Sequence, residues 1–66
     1  MKNNVKAERV RCYLTQQELA DAIQVSRQTI HSIEANRYVP STILALKLAR
    51  TLKVSVEDLF ELEEID

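Results

Sequence analysis

A short local pattern occurs three times in this 66-residue sequence and governs what it can fold into. An apolar residue is followed at once by Ser or Thr, and a second apolar residue comes five positions after the first. The hydroxyl at such a place accepts a hydrogen bond from the amide three residues on, while the apolar pair packs across the helix start. The occurrences are Leu14-Thr15 with Leu19, Val25-Ser26 with Ile30, and Val54-Ser55 with Leu59. The pattern therefore predicts helices that begin after Thr15, Ser26 and Ser55.

Two further helices are predicted from other signals. Pro40 forces the residue before it out of the α region, and Ser41 can cap a helix that runs to about Leu52. Another helix is predicted over about residues 4–12. The fold class expected from the sequence is all-α, with five short helices.

The chain contains no glycine, which is unusual for a protein with several helix ends. Helices commonly end at a residue with positive φ, where glycine has no steric penalty and another residue loses about 1–2 kcal/mol. The predicted helix ends place Gln24, Asn36 and Lys53 at such positions. We predict positive φ at all three residues, and we predict that Gln24→Gly stabilises the fold.

Several classes of protein are disfavoured by what the sequence lacks. The longest apolar run, residues 43–46, is far shorter than the roughly 18 residues of a membrane span. One cysteine and one histidine cannot complete a four-ligand zinc site, and the single cysteine forms no internal disulfide. There is no recognisable nucleophile–base pair or phosphate-binding loop. We expect a non-enzymatic protein of a reducing cytoplasm, without metal, cofactor or membrane association.

The formal net charge of −1 conceals an uneven distribution of charge along the chain. Residues 1–53 hold all nine basic residues and four acidic ones, which gives this part a charge of +5. Residues 54–66 hold six acidic residues and no basic one, which gives −6. A basic body of this kind is a weak indication of nucleic-acid binding.

Residues 16–35 are predicted to form two helices joined by a tight turn. If Ile30 and Ile33 face the first of these helices, helical geometry turns polar side chains of the second helix outward. These side chains belong to Arg27, Gln28, His31 and Ser32. Arg matches the two acceptors of guanine, and Gln matches the acceptor and donor of adenine.

The run TQQELADAIQVSRQTIHSIEANRYVPS, followed by LALKLARTLKVSVEDLF, resembles the Cro/C1-type (XRE-like) helix-turn-helix family of phage repressors and small prokaryotic regulators. The resemblance covers nearly the whole chain, with the motifs in the expected order. It implies a compact five-helix, lambda-repressor-like DNA-binding domain with the helix-turn-helix at helices 2 and 3. It also implies that helix 3, about residues 27–35, enters the major groove. The sequence departs from the family at Gln24, Asn36 and Lys53, where the family usually has glycine.

The resemblance also implies roles for individual residues. Base contacts are expected first from Arg27, Gln28 and Ser32, and second from Thr29 and His31. Phosphate contacts are expected from Thr15 and Gln16 at the start of helix 2 and from Arg37 in the loop after helix 3. Arg9 and Glu34 match a family pair that joins helices 1 and 3, so we expect a partly buried, structural ion pair.

These expectations divide the chain into a DNA-binding domain at residues 1–60 and an acidic tail at residues 61–66. The tail is either a frayed end or a pairing strand, and together with Ile43 and Leu46 it is the candidate dimer interface. The protein is predicted to be a sequence-specific transcriptional regulator that binds a double-stranded operator as a homodimer and acts as a repressor. The predicted location is the cytoplasm of a prokaryotic or phage-infected cell, at the nucleoid when DNA is bound. The alternative is an interaction module, such as an antitoxin-like partner of another protein, for which DNA binding is secondary.

Overall fold

The computed structural model describes all 66 residues as five helices and one small sheet. The helices are α1 (Val5–Arg11), α2 (Gln16–Ile23), α3 (Arg27–Glu34), α4 (Thr42–Leu52) and α5 (Val56–Leu59). The strands are β1 (Lys2–Asn3) and β2 (Phe60–Glu61), which pair antiparallel. No helix combines the length and the apolar character that crossing a bilayer requires.

The helix starts lie where the Ser and Thr pattern predicts them. The Thr15 hydroxyl accepts from the amide of Glu18 at 3.0 Å, and the Glu18 carboxylate accepts from the amide of Thr15 at 2.9 Å. Ser55 and Asp58 form the same reciprocal cap at the start of α5. Ser26 and Ser41 cap α3 and α4 through their hydroxyl groups. Each start is therefore fixed by local hydrogen bonds before tertiary packing contributes.

Four residues other than glycine have positive φ. Gln24, Asn36 and Lys53 have φ of 63°, 60° and 59°, as the glycine-free helix ends predict. Tyr13, with φ of 58°, is a fourth such residue that the sequence analysis missed. The predicted end of α1 lay at about residue 12, whereas the helix ends at Arg11 and the chain turns sharply through Tyr13 before α2.

A single core lies between the helices and is built of eleven buried apolar residues. Helix α2 packs on α3 and α4, α1 packs on α3 and α4, and α5 packs on α4. The core residues are Val5, Leu19, Ala20, Ile23, Ile30, Ile33, Leu44, Leu48, Ala49, Leu52 and Leu59. Every helix contributes to this cluster, so the orientation of α3 is set by the whole domain.

The prediction of an all-α fold is wrong in one respect, because the chain ends pair as strands. Lys2 pairs with Glu61 and Asn3 with Phe60, and the amide of Asn4 donates to the carbonyl of Leu59 at 2.8 Å. Strands of two residues are too short to show the alternation of apolar and polar residues by which a strand is predicted from sequence. Of the tail, only Glu61 lies in this strand, whereas residues 62–66 are exposed beyond it, so the expected boundary between residues 60 and 61 falls inside β2.

Charged contacts continue the pairing of the chain ends. The Met1 ammonium lies 3.0 Å from a carboxylate oxygen of Glu63 and 3.0 Å from one of Asp66. Hydrogen bonds to Asp66 and then to Glu63 raise the pKa of the Met1 ammonium. The amide of Glu63, followed by the Met1 ammonium, lowers the pKa of Asp66. The acidic tail therefore lies against the start of the chain.

Candidate nucleic-acid interface

Helices α2 and α3 are joined by a three-residue turn, Gln24 to Ser26. The left-handed conformation of Gln24 reverses the chain, and the amide of Val25 donates to the carbonyl of Ala20 at 3.0 Å. Ala20 is fully buried, and its small side chain permits a close approach of the two helices. The turn therefore holds α3 at a fixed angle to α2.

Burial of one side of α3 leaves the opposite side available to a ligand. Ile30 and Ile33 are buried in the core. Arg27, Gln28 and His31 are exposed, whereas Ser32 and Thr29 are half-buried. The Thr29 hydroxyl is also hydrogen-bonded to that of Ser26 at 3.0 Å, so it takes part in the cap of its own helix.

A shallow polar hollow continues this side of α3 into the following loop. It is lined by Gln28, Thr29, Ser32, Arg37 and Tyr38. The Arg37 side chain is exposed, and the amide of Arg37 donates to the carbonyl of Ser32 at 2.9 Å. The structure thus brings the residue expected to bind phosphate next to residues expected to read bases.

The first turn of α2 lies beside the same surface. The cap at Thr15 uses the amide of Glu18, and the amides of Gln16 and Gln17 have no acceptor within the helix. Free amides and the positive end of the helix dipole favour an anion at such a place. The Thr15 hydroxyl is exposed but already accepts the capping bond, which leaves its proton free to donate.

Arg9 and Glu34 form a two-pronged ion pair beneath this surface. Arg9 Nε donates to Glu34 Oε2 at 2.7 Å and Arg9 Nη2 donates to Glu34 Oε1 at 3.2 Å. The third branch of the guanidinium donates to the carbonyl of Leu14 at 2.8 Å. The side chains are only 11% and 5% exposed, so the pair ties α1, the α1–α2 turn and α3 together away from water.

Gln16 makes two side-chain contacts that the sequence analysis did not anticipate. Its Nε2 donates to Glu34 Oε1 at 3.1 Å, and its Oε1 accepts from Arg27 Nη1 at 3.4 Å. These partners are the last and the first residue of α3. The sequence carried no signal for this arrangement, because the three residues are neighbours only after α2 and α3 have packed.

A second surface is apolar and lies along α4. Val39, Ile43 and Leu46 are exposed, with Ile43 reaching 70%. Val39 and Leu46 also belong to a groove lined mainly by apolar residues. These lining residues are Met1, Val39, Pro40, Thr42, Ala45, Leu46, Val56, Glu57 and Phe60. The tail residues Leu62 and Ile65 are exposed as well.

Comparison with known proteins identifies the class of molecule that carries these surfaces. A helix-turn-helix family model matches residues 5–59. The chain is 45% identical over 64 residues to the uncharacterized HTH-type transcriptional regulator YgzD of Bacillus subtilis, with 97% of each chain covered. It is 47% identical over 64 residues to the uncharacterized HTH-type transcriptional regulator MJ0272 of Methanocaldococcus jannaschii, again with 97% of each covered.

Solved structures resemble the fold closely. The restriction-modification controller protein C.AhdI of Aeromonas hydrophila superimposes with a TM-score of 0.80 at 26% identity, with 86% of both chains covered. The clp gene regulator ClgR of Corynebacterium glutamicum gives 0.77 at 30% identity, covering 82% of this chain and 57% of its own. The chain belongs to the Cro/C1-type helix-turn-helix family and is a DNA-binding transcriptional regulator. Regulators of this family bind double-stranded DNA.

Proposed function

We propose that this regulator recognises a specific operator by inserting α3 into the major groove, and that it represses transcription there. The observation that carries the proposal is the exposed polar side of α3, which displays Arg27 and Gln28 in its first turn. A groove-reading helix needs such side chains near its N-terminus, since those residues reach the base edges. The buried pair of Arg9 and Glu34 supports the proposal, because it joins α3 to α1 and so limits movement of the reading helix.

Arg27, Gln28 and Ser32 are proposed to contact base edges directly. An Arg guanidinium donates to both acceptors of guanine, and a Gln amide pairs with the acceptor and donor of adenine. Each well-made bidentate pair discriminates against a wrong base by about 1–3 kcal/mol. His31 and Thr29 have a secondary role, at the groove wall or the DNA backbone.

Thr15, Gln16 and Arg37 are proposed to contact the sugar-phosphate backbone on either side of the groove. Thr15 and Gln16 lie at the amino end of α2, whose free amides favour an anion. Arg37 comes three residues after the carboxyl end of α3 and lines the polar hollow. Such contacts set the register of the domain on DNA and make the affinity depend on salt, without reading sequence.

A homodimer on a nearly palindromic operator is the proposed assembly. Two copies related by a twofold axis would present two α3 helices to half-sites about 34 Å apart, one turn of B-DNA. The apolar surface of Val39, Ile43 and Leu46 supports this assembly, because contiguous exposed apolar residues favour an interface. A dimer seated on a promoter blocks polymerase, and the protein would act in the cytoplasm at the nucleoid.

The same apolar surface favours a second candidate function, which is the binding of another protein. An antitoxin-like partner would use the groove beside α4 for that protein and bind DNA only secondarily. The two candidates differ in what α3 does. Substitution of Arg27 and Gln28 removes specific DNA binding under the first candidate and leaves partner binding intact under the second.

The test is selection of bound duplexes from a random DNA library, followed by titration of the enriched duplex at two salt concentrations. Enrichment of a palindrome with a steep salt dependence is the expected result. The variant Arg27→Ala/Gln28→Ala should enrich no site or a different one. Gln17→Ala is the matched control, since it keeps the backbone amide of Gln17 and removes only an exposed side chain whose hydrogen bond goes to Asp21. A folded protein that enriches no duplex would overturn the proposal and favour the protein partner.

A further inference from the structure

The carboxyl end of α3 is held by a residue from the start of the chain. Asn3, in β1, donates through Nδ2 to the carbonyl of Ile33 at 2.9 Å and to Asn36 Oδ1 at 2.9 Å. Its own Oδ1 accepts from the amide of Val5 at 3.2 Å. An Asn side chain has one acceptor group and two donor hydrogens, so all of its groups are in use and its orientation is fixed. The side chain of Asn3 therefore ties β1 to the end of α3.

The two acceptors on α3 belong to the turn by which the chain leaves this helix. The amide of Asn36 donates to the carbonyl of Ile33 at 3.0 Å, and the amide of Arg37 donates to the carbonyl of Ser32 at 2.9 Å. These two bonds, with the positive φ of Asn36, form a Schellman ending. Glycine usually occupies the left-handed position of this motif, because a side chain is strained there. In this chain the motif is completed without glycine.

The turn at Asn36 differs from the other left-handed positions in having support from a distant residue. The Asn36 side chain is bonded to Asn3, which comes 33 residues earlier. The remaining residues with positive φ have side chains that make no hydrogen bond or ion pair; they are Tyr13, Gln24 and Lys53. The fold thus tolerates left-handed residues without such support elsewhere. Support is present only where the chain leads from α3 to Arg37.

The placement of Arg37 depends on this turn because nothing else holds the residue. Its side chain is exposed and makes no hydrogen bond or ion pair within the protein. It nevertheless lines the polar hollow with Gln28 and Ser32, beside the exposed side of α3. Since Arg37 directly follows Asn36, the φ and ψ of Asn36 set the direction in which Arg37 leaves the helix. A turn that left the αL region would carry the guanidinium away from the hollow.

We propose that Asn3 is a positioning residue for Arg37, which it holds beside α3 by locking the left-handed turn at Asn36. The inference rests on the proposed function, in which Arg37 contacts a DNA phosphate. It adds that β1, which contacts no DNA in that proposal, contributes to affinity through the turn. Because a phosphate contact reads no sequence, Asn3 affects affinity and its salt dependence but not base preference.

The first experiment measures Kd at a series of salt concentrations for Asn3→Ala and Asn4→Ala. Asn4 is the matched control, because its Nδ2 donates at 3.1 Å to the carbonyl of Asp58 in α5 and makes no bond to α3. In Asn3→Ala we expect Kd for the enriched operator and for its single-base variants to rise by one similar factor, about threefold or more. The slope of log Kd against log salt should fall in magnitude by up to about 1. Asn4→Ala should keep the Kd and the slope of the parent.

A double variant tests whether Asn3 acts through Arg37. If it does, Asn3→Ala/Arg37→Ala binds no more weakly than Arg37→Ala alone, and the two changes are not additive. A general loosening of the fold would instead weaken binding further in the Arg37→Ala background. Circular dichroism establishes that each variant is folded under the conditions of the titration.

Asn3→Asp removes the tie to α3 with less effect on the rest of the fold. It keeps an acceptor for the amide of Val5, but it replaces the donor group with an oxygen that faces the two acceptors at the end of α3. Asn4→Asp adds the same charge one residue along the chain. In the free protein, ¹⁵N relaxation should report greater mobility of the Asn36 and Arg37 amides in Asn3→Asp than in Asn4→Asp, which tests the inference without DNA.

Three results would overturn this inference and leave the proposed function intact. They are equal Kd and salt slope in folded Asn3→Ala and Asn4→Ala, an undiminished effect of Asn3→Ala in the Arg37→Ala background, and equal mobility of the Arg37 amide in the two Asp variants. If Arg37→Ala itself changes neither Kd nor the salt slope, the proposed phosphate contact of Arg37 fails and this inference fails with it. Base reading by Arg27 and Gln28 is tested separately, by the sequence that the library selection enriches.

Discussion

Arg9 and Glu34 are 25 residues apart in sequence, yet their side chains meet at 2.7 Å in a site from which water is nearly excluded. The guanidinium comes from the last turn of α1 and the carboxylate from the last residue of α3. The carbonyl of Leu14 and the side-chain amide of Gln16 are also hydrogen-bonded to this pair, and no buried side-chain polar atom of the protein lacks a hydrogen-bond partner. The pair therefore determines where the carboxyl end of α3 lies relative to the rest of the domain.

Loss of Arg9 should be among the most destabilising single changes in the protein. Arg9→Met leaves the Glu34 carboxylate nearly buried without a compensating charge, which costs about 3–5 kcal/mol. Urea denaturation of the parent, the single variants and Arg9→Met/Glu34→Leu gives the coupling energy. Arg50→Met is the control, and it should change stability little, since Arg50 is exposed on α4 and its side chain makes no hydrogen bond or ion pair. A coupling energy near zero would contradict this role.

Glycine at two strained positions should stabilise the fold. Tyr13 and Gln24 have positive φ, and Tyr13 is 94% exposed, so its side chain makes little compensating contact. Tyr13→Gly and Gln24→Gly should each raise stability by about 1 kcal/mol, the left-handed penalty less the greater entropy of glycine when unfolded. The melting temperature should rise by roughly 4–8 °C. Gln17→Gly, inside α2, should lower it, and a fall in either test variant would refute the strain argument.

Arg37 should contribute affinity without sequence preference. Arg37→Ala removes one proposed phosphate contact, so all duplexes should bind more weakly by a similar factor. The slope of log Kd against log salt should fall in magnitude by about 1. Lys53→Ala is a charge-matched control at the far end of α4. A change in the enriched sequence, rather than in the slope, would assign Arg37 to base reading instead.

The contacts between the chain ends should depend on pH at both extremes. The raised pKa of the Met1 ammonium means that its contribution is full below the ordinary value of 8.0 and is lost as pH rises through the raised pKa. The lowered pKa of Asp66 means that its contribution is full above 3.8 and is lost as pH falls through the lowered pKa. The amide resonance of Glu63, which donates to Asp66 at 2.8 Å, should therefore shift outside this window. Asp66→Asn should abolish the acidic transition, and persistence of that transition would assign it to another group.

The apolar surface of α4, more than the tail, should hold the proposed homodimer together. Ile43→Gln/Leu46→Gln introduces polar groups into the exposed patch, and we expect sedimentation equilibrium to show a monomer. Leu62→Gln/Ile65→Gln is the matched pair, because it changes the same two residue types at exposed positions of the terminal segment. It should remain a dimer. The opposite outcome would identify the tail as the interface.

Local signals accounted for most of the fold. The caps at Thr15, Ser26, Ser41 and Ser55 depend on residues within one helical turn, so the sequence alone predicts where α2, α3, α4 and α5 begin. The strands were missed because they depend on pairing between residues at opposite ends of the chain. Tyr13 was missed because no glycine or other recognised end signal marks its turn.

Individual residues of the candidate interface could be predicted, but not the bonds among them. Exposure of Arg27 and Gln28 follows from burial of Ile30 and Ile33 on the other side of one short helix. The contact of Gln16 with Glu34 depends on the angle between α2 and α3. The sequence of the three-residue turn between these helices does not specify that angle. The base and phosphate contacts themselves stay predictions until DNA is bound.

The short ribbon of β1 and β2 also has a consequence for the order in which the molecule opens. Outside the buried Val5 and Leu59, the chain ends are held by strands of two residues, by hydrogen bonds of Asn3 and Asn4, and by exposed charges. Helices α2 and α3 are held by the buried core instead. We therefore expect the chain ends to separate and rejoin many times while the helix-turn-helix stays folded, so that the amides of β1 and β2 exchange with solvent before those of α2 and α3.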